Sequence, residues 1–239
     1  MRRIAMWSGP RNISTALMRS FENRADTYVI DEPFYACFLK ATGIDHPGRD
    51  LILKKQSTNF ECILQGLTQQ KHVQASIYYQ KHMCHHLLPD MDRRWLDKVT
   101  HAFLIRDPRM MIASYVKSRE TVTLADLGLL QQDELFDRTA DKLGAAPPVV
   151  ESADILKNPE AMLKKLCTSL AIPFDSAMLK WPEGKRDSDG IWAPWWYANV
   201  EKSTGFMPYK ELVINLPPAL ERLAEKCMPV YEKLMKFKL

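Results

Sequence analysis

The sequence predicts an α/β fold, a central parallel sheet with helices on both faces. Three observations predict it. Short β-rich runs alternate with helical segments along the chain. The first run, Ile4-Ala5-Met6-Trp7, passes through a Gly-Pro turn directly into a helical segment. At 239 residues the chain can bury a sizeable core without disulfides or metals, and a single domain over residues 1–239 is the simplest reading.

The elements follow in order. After the first strand, Thr15 to Asn23 reads as a helix, and Thr27-Tyr28-Val29-Ile30 as a second strand ending at Asp31-Glu32-Pro33. Arg49 to Gln70 is polar, mixed and helical in pattern. Further strands are expected at Val73 to Tyr79, His101 to Ile105 and Pro148 to Glu151. Thr121 to Gly144 reads as a helical excursion with acidic residues. Trp181 to Tyr209 holds Trp192, Trp195, Trp196, Tyr197 and Phe206 among Gly and Pro, the composition of a long aromatic loop. Pro217 to Lys238 has apolar residues at helical spacing and should pack on the core as a C-terminal helix.

Ligands of parallel sheets bind at the carboxyl ends of the strands. Those positions supply Arg11, Glu32, Lys81 and Arg106. The first is the richest. Ser8-Gly9-Pro10-Arg11-Asn12-Ile13-Ser14-Thr15 joins a strand to a helix N-terminus, whose unsatisfied N–H groups and positive dipole end favour an anion. Gly9 and Pro10 set the turn, Arg11 offers a planar fork to an oxyanion, and Ser14 and Thr15 offer hydroxyls. A Walker A loop is excluded, because the second Gly and the Lys are missing. A second constellation stands after the fourth strand: Arg106-Asp107-Pro108 opens a helix in which Ser114 can converge with Arg106 on one phosphate.

The net charge of +4 is mild, and no Lys/Arg block marks a nucleic-acid or polybasic membrane surface; a small acidic ligand suits the chain better. No run approaches the roughly 18 apolar residues of a membrane span, and a cytoplasmic location is the default expectation. The five cysteines are an odd number without C-x-x-C spacing and read as reduced packing residues. His82, His85 and His86 share a spacing that can ligate Zn²⁺ on a helical face. H-E-x-x-H is absent, so they are read as surface or core-edge histidines, and no metal is expected. The oligomeric state is not legible.

Taken together, the two constellations resemble the sulfotransferase family that uses 3′-phosphoadenosine 5′-phosphosulfate (PAPS). Ser8 to Leu17 is similar to its 5′-phosphosulfate loop, and Leu104-Ile105-Arg106-Asp107-Pro108 through Ser114 to its 3′-phosphate motif, in matching order and separation. A weaker likeness covers Val149 to Pro159 and Leu166 to Pro173. The loop is most similar to bacterial-type sulfotransferase-like proteins reading S-G-P-R. Some of these carry aminotransferase names, although nothing here resembles a pyridoxal phosphate site with its Schiff-base Lys.

The resemblance implies a P-loop-NTPase-like three-layer domain that moves a sulfuryl group in-line from PAPS to a hydroxyl or amine of a small-molecule acceptor, without a metal. The donor site would comprise Gly9, Pro10, Arg11, Asn12, Ile13, Ser14, Thr15, Arg106 and Ser114. Arg11 would stabilise the bridging oxygen. Glu32, before the aromatic Phe34, would be the general base, with His82 as the alternative and Lys81 beside it near the sulfuryl group. Two departures stand out: Ile13 replaces a usual Gly, and Arg11 replaces a frequent Lys. The aromatic segment Trp192 to Phe206 is expected to close as a lid over the donor, bringing Lys202 and Ser203 toward the 3′-phosphate. A P-loop kinase or nucleotidase, or a non-catalytic nucleotide-binding module, is the alternative.

Overall fold

The computed structural model describes residues 1–119 and 121–239. Its centre is a five-stranded sheet, parallel throughout, in the order β2-β3-β1-β4-β5. The strands are β1 (Arg2–Ser8), β2 (Thr27–Asp31), β3 (Ile77–Met83), β4 (Thr100–Ile105) and β5 (Val149–Glu151). The helices are α1 (Ser14–Glu22), α2 (Tyr35–Thr42), α3 (Arg49–Lys55), α4 (Phe60–Gln69), α5 (Pro108–Tyr115), α6 (Leu124–Leu127), α7 (Leu129–Leu143), α8 (Ser152–Lys157), α9 (Pro159–Ser169), α10 (Ala193–Trp196), α11 (Ala198–Glu201) and α12 (Pro218–Met235).

Strand alternation divides the interior into two cores. On β1, Ile4 and Met6 face one side, with Leu17, Met18 and Phe21 of α1 and Leu163 and Leu166 of α9. Ala5 and Trp7 face the other, with Leu64 and Leu67 of α4, Met111 and Ile112 of α5, Leu135 and Phe136 of α7, and Cys227 and Leu234 of α12. This is the three-layer arrangement expected from the sequence. A third cluster lies beside the sheet, where Tyr35, Phe38 and Leu39 of α2 and Ile52 of α3 pack on Trp192, Ala193 and Tyr197.

Three expectations change. The stretch from Arg49 to Gln70 forms two helices, α3 and α4, with Gln56 extended between them. The third strand lies later than the run Val73 to Tyr79 suggests, since β3 continues through Gln80, Lys81 and His82, which are all buried and paired with β1 in register. The strand tolerates these polar residues because each side chain finds a partner inside: Gln80 donates to the Leu67 carbonyl at 2.8 Å and Lys81 to Asp31 at 2.7 Å. Trp181 to Tyr209 is not plain loop, for it contains α10 and α11, and its Trp192 is 1% exposed. All five cysteines are unpaired, four of them buried.

Candidate functional site

β1 delivers the chain into residues 9–13, and the close packing there explains its glycine. A Cβ on Gly9 would lie 2.6 Å from the Leu127 carbonyl oxygen, so a side chain would force the turn away from α6. Arg11 (φ 61°) and Ile13 (φ 57°) are both left-handed. The backbone at Ile13 therefore keeps the conformation a glycine would adopt, with a β-branched side chain placed in it at a cost of about 1–2 kcal/mol. Two carbonyls pin the loop. Asn12 Nδ2 donates to the Leu104 carbonyl at 3.2 Å, and Ser152 Oγ to the Asn12 carbonyl at 3.3 Å. Helix α1 begins here with no side-chain cap and no acidic residue in its first turn, which leaves its N–H groups open to an anion.

The structure brings the second constellation onto this loop. Arg106 Nη1 donates to the Arg11 carbonyl at 2.5 Å, and Arg11 Nε donates to Ser114 Oγ at 3.0 Å. Neither guanidinium has a carboxylate partner among the described residues, and burial lowers the pKa of both, with Glu151 opposing the shift at Arg106. Two half-buried cations side by side, neither bonded to a carboxylate, favour an anionic ligand between them. Pro10 through Thr15, Arg106 and Ser114 line a cavity of about 340 Å³, whose walls continue over Glu32, Tyr35, Lys81, His86, Trp192, Tyr197 and Ser203. Gly9 lies buried beneath it.

At the other end of this cavity, Asp31 ends β2 opposite Lys81 of β3, and Glu32 follows it, its N–H donating to the Lys81 carbonyl at 2.9 Å. Lys81 Nζ gives its three protons to Asp31 Oδ1 (2.7 Å), Glu32 Oε1 (2.5 Å) and the Tyr197 hydroxyl (3.0 Å). Its ammonium, 1% exposed, is thus saturated, and Asp31 and Glu32 raise its pKa against the opposing effect of burial. Burial raises the Glu32 carboxyl from 4.5 to about 7; Lys81 opposes the rise and Asp31 adds to it. Glu32 sits at φ 42°, an uncommon backbone position for a side chain and one that turns its carboxyl inward.

His82 departs from expectation. Strand alternation sends it to the opposite face from Lys81, where it stacks on Trp7 at 4.4 Å and donates from Nε2 to Gln80 Oε1 at 3.2 Å. Burial holds its pKa down at about 3. It lies outside the cavity, away from Glu32. Nor do the three histidines share a helical face: His82 is in β3, while His85 and His86 form a short 3₁₀ turn, and all three are buried rather than at the surface. Among the described residues, no group of three or more His, Cys, Asp or Glu is placed to hold a metal ion. The imidazole that does approach Glu32 is His86, with Nδ1 3.8 Å from Oε2. Nothing in the local pattern sets His86 apart; only the turn at the end of β3 brings it round.

The segment expected to be a mobile lid is a wall here. Arg19 of α1 grips Asp189 bidentately at 2.8 and 2.7 Å, the Gly190 N–H donates to Asp31 Oδ2 at 3.0 Å, and the Tyr197 hydroxyl donates to the same oxygen at 2.5 Å. Trp192 Nε1 donates to that hydroxyl at 3.1 Å. Ser203 lines the cavity, but its hydroxyl is engaged with Trp181 Nε1 and the Val200 carbonyl. Lys202 is exposed and borders a neighbouring groove with Lys157 and Lys180.

A parallel sheet with a basic, uncapped loop at the carboxyl end of its central strand defines an α/β protein whose loop chemistry suits an anion. Comparison with known proteins names the family. The model of the sulfotransferase domain matches residues 1–238, and the chain belongs to that family. Two relatives from Arabidopsis thaliana, branched-chain-amino-acid aminotransferase-like proteins 1 and 2, are 37% and 35% identical over 231 residues; these cover 97% of this chain and 41% of each relative. The chain therefore spans less than half the length of these curated relatives. Among solved structures, a sulfotransferase from Alicyclobacillus acidocaldarius superposes with a TM-score of 0.57 at 14% identity, covering 98% of this chain and 94% of that one. The sulfotransferase domain of the Synechococcus PCC 7002 olefin synthase gives 0.55 at 18%, covering 95% and 94%. A mouse sulfotransferase complexed with PAP gives 0.55 at 11%, covering 99% and 88%. These neighbours share the P-loop-like α/β fold.

Proposed function

We propose that residues 1–239 form one domain that transfers a sulfuryl group from PAPS to a small-molecule acceptor. The observation that carries this reading is the meeting, on one cavity, of two basic motifs 95 residues apart, with Arg106 bonded to the Arg11 carbonyl. Glu32 faces the same space. The fold shared with a mouse sulfotransferase complexed with PAP supports the choice of donor.

The loop N–H groups, Ser14 and Thr15 would cradle the 5′-phosphosulfate at the start of α1, and Arg106 and Ser114 would take the 3′-phosphate. In the loose, in-line transition state, charge grows on the bridging oxygen. Arg11, whose Nη groups have no partner among the described residues, supplies the cation there. Glu32 takes the acceptor proton on Oε2, since Lys81 holds Oε1. A carboxyl raised toward 7 is a stronger base than an ordinary one and is still ionised in a useful fraction near neutrality. Lys81 serves as the counter-ion that keeps Glu32 ionisable and in place, rather than as a contact to sulfate.

Calorimetry of the Arg106→Ala variant tests the donor assignment. Adenosine 3′,5′-bisphosphate should bind about 2 kcal/mol more weakly. Adenosine 5′-phosphosulfate, lacking the 3′-phosphate, should lose much less. Equal losses overturn the assignment.

A further inference from the structure

At the end of the cavity away from Arg11, one carboxylate oxygen and one imidazole nitrogen face each other. Glu32 Oε1 is held by Lys81, so Oε2 is the oxygen left to act. Opposite it stands His86 Nδ1, 3.8 Å away, buried and without a hydrogen-bond partner. That gap is too long for a direct hydrogen bond. An oxygen atom lying about 2.8–3.0 Å from both would bridge it. The imidazole is fixed for this task, its ring stacked on Tyr35 at 4.6 Å with 7° between the planes, and Phe38 and His85 packed around it. Burial, reinforced by His85 and His46, holds it in the neutral form. With a carboxylate ahead of Nδ1, the favoured tautomer carries its proton there and donates.

We infer that Glu32 and His86 clamp the attacking atom of the acceptor from two sides, and that the acceptor is therefore a hydroxyl compound rather than an amine. The inference rests on the sulfotransferase reading. A hydroxyl oxygen has one proton and two lone pairs. It can donate the proton to Glu32 Oε2, accept from His86 Nδ1–H with one lone pair, and attack with the other. A neutral amine has a single lone pair, and if His86 takes it none is left to attack; an ammonium has none. In the step, the hydroxyl oxygen bonds to sulfur and its proton passes to Glu32 Oε2. The bond from sulfur to the bridging oxygen breaks with its electron pair going to the departing phosphate. The products are a sulfate monoester and adenosine 3′,5′-bisphosphate. His86 contacts the reacting atom and orients it without exchanging a proton.

The test uses labelled PAPS with three nucleophiles that need no knowledge of the natural acceptor: water, phenol and its uncharged amine counterpart aniline. The unaltered protein should pass sulfuryl to water and to phenol, and to aniline at least ten-fold more slowly than to phenol. His86→Phe, which keeps a ring on Tyr35 but has no donor, should lower transfer to water and phenol ten-fold or more, raise the aniline rate by freeing the amine's lone pair, and so collapse the preference. His86→Asn, which restores an N–H near the Nδ1 position, should recover most of the loss. Calorimetry with adenosine 3′,5′-bisphosphate reports folding and donor binding in each variant, and the phenol-to-aniline preference of the unaltered protein stands even if a variant does not fold. Aniline sulfated as fast as phenol, an equal loss for both in His86→Phe, or donor bound but never consumed overturns the clamp and leaves donor binding intact. Failure of the unaltered protein to bind the bisphosphate overturns the sulfotransferase reading and the clamp with it.

Discussion

The two ends of the cavity handle positive charge in opposite ways. At the loop end, Arg11 and Arg106 stand next to each other with no carboxylate partner among the described residues, held by a carbonyl and a hydroxyl, so that no bonded carboxylate compensates either charge, and Glu151 and Asp107 act on Arg106 only through space. At the Glu32 end, Lys81 has two carboxylates and a phenol on its three protons. An uncompensated cation recruits an anion from solution; a saturated one fixes its neighbours and sets their proton affinity. Reading each basic residue at a strand end as a ligand contact misses this difference, which lies in the partners rather than in the residue type.

The largest effect should come from removing the saturated cation. Lys81→Met leaves Asp31 and Glu32 buried without a counter-charge and should destabilise the fold by about 3–5 kcal/mol in denaturant titration. A loss no greater than that of an ordinary surface lysine would break the comparison.

Glu32→Gln sharpens it next. Turnover of whichever hydroxyl nucleophile is accepted should fall by roughly 10² while affinity for adenosine 3′,5′-bisphosphate holds. In the unaltered protein, the rate should rise with pH through about 7, as the carboxyl ionises. Stability runs the other way. A folded-state pKa above the unfolded value of 4.5 means that the native protein holds this proton more tightly, so the contribution of Glu32 is present below 4.5 and lost as pH climbs to about 7. Denaturant midpoints taken at pH 4.5 and pH 8 should show that difference shrink in Glu32→Gln. A pH-rate profile that is flat between pH 6 and 8 would remove Glu32 from the role of base.

The smallest effect concerns the loop that holds the uncompensated pair. Both Ile13→Gly and Ile13→Ala lose the same packing, but only glycine is at ease at φ 57°. Glycine should therefore be more stable than alanine here by about 1 kcal/mol in thermal unfolding, reversing their usual order inside regular structure. The usual order at this site would show that the loop relaxes away from the left-handed backbone when the side chain is cut.

The sheet and the meeting of the Arg11 loop with Arg106 and Ser114 were legible because they are written locally. A strand, a Gly-Pro turn and a helix start stand in one continuous stretch, and Arg106 and Ser114 fall on one helix entrance. The surroundings of Glu32 were half legible. Glu32 follows from the end of β2, but the parity of β3 had to be known before Lys81 and His82 could be separated, and the apolar run from Val73 drew that strand four residues too early at its start. With the strand continued to Met83, adjacent residues fall on opposite faces, and His82 goes to the core. His86 stood out only as part of a histidine cluster, because its neighbour in space, Glu32, is remote in the chain. The aromatic segment was misread for the same reason: its Gly and Pro content suggests a hinge, whereas its anchors are Arg19, Asp31 and Lys81, none of which its own composition reveals.

Asp31 also governs the order in which the molecule can be assembled. Its oxygen accepts from residues 159 and 166 positions further along, so a chain emerging at about 5–20 residues per second has Asp31 and Lys81 in hand well before Gly190 and Tyr197 exist. The loop around Arg11 meets its partners sooner, at Arg106 and Ser114. A nascent chain can therefore bring Glu32 to Lys81, and then Arg106 and Ser114 to the loop around Arg11, before it has the residues that close the wall over Asp31.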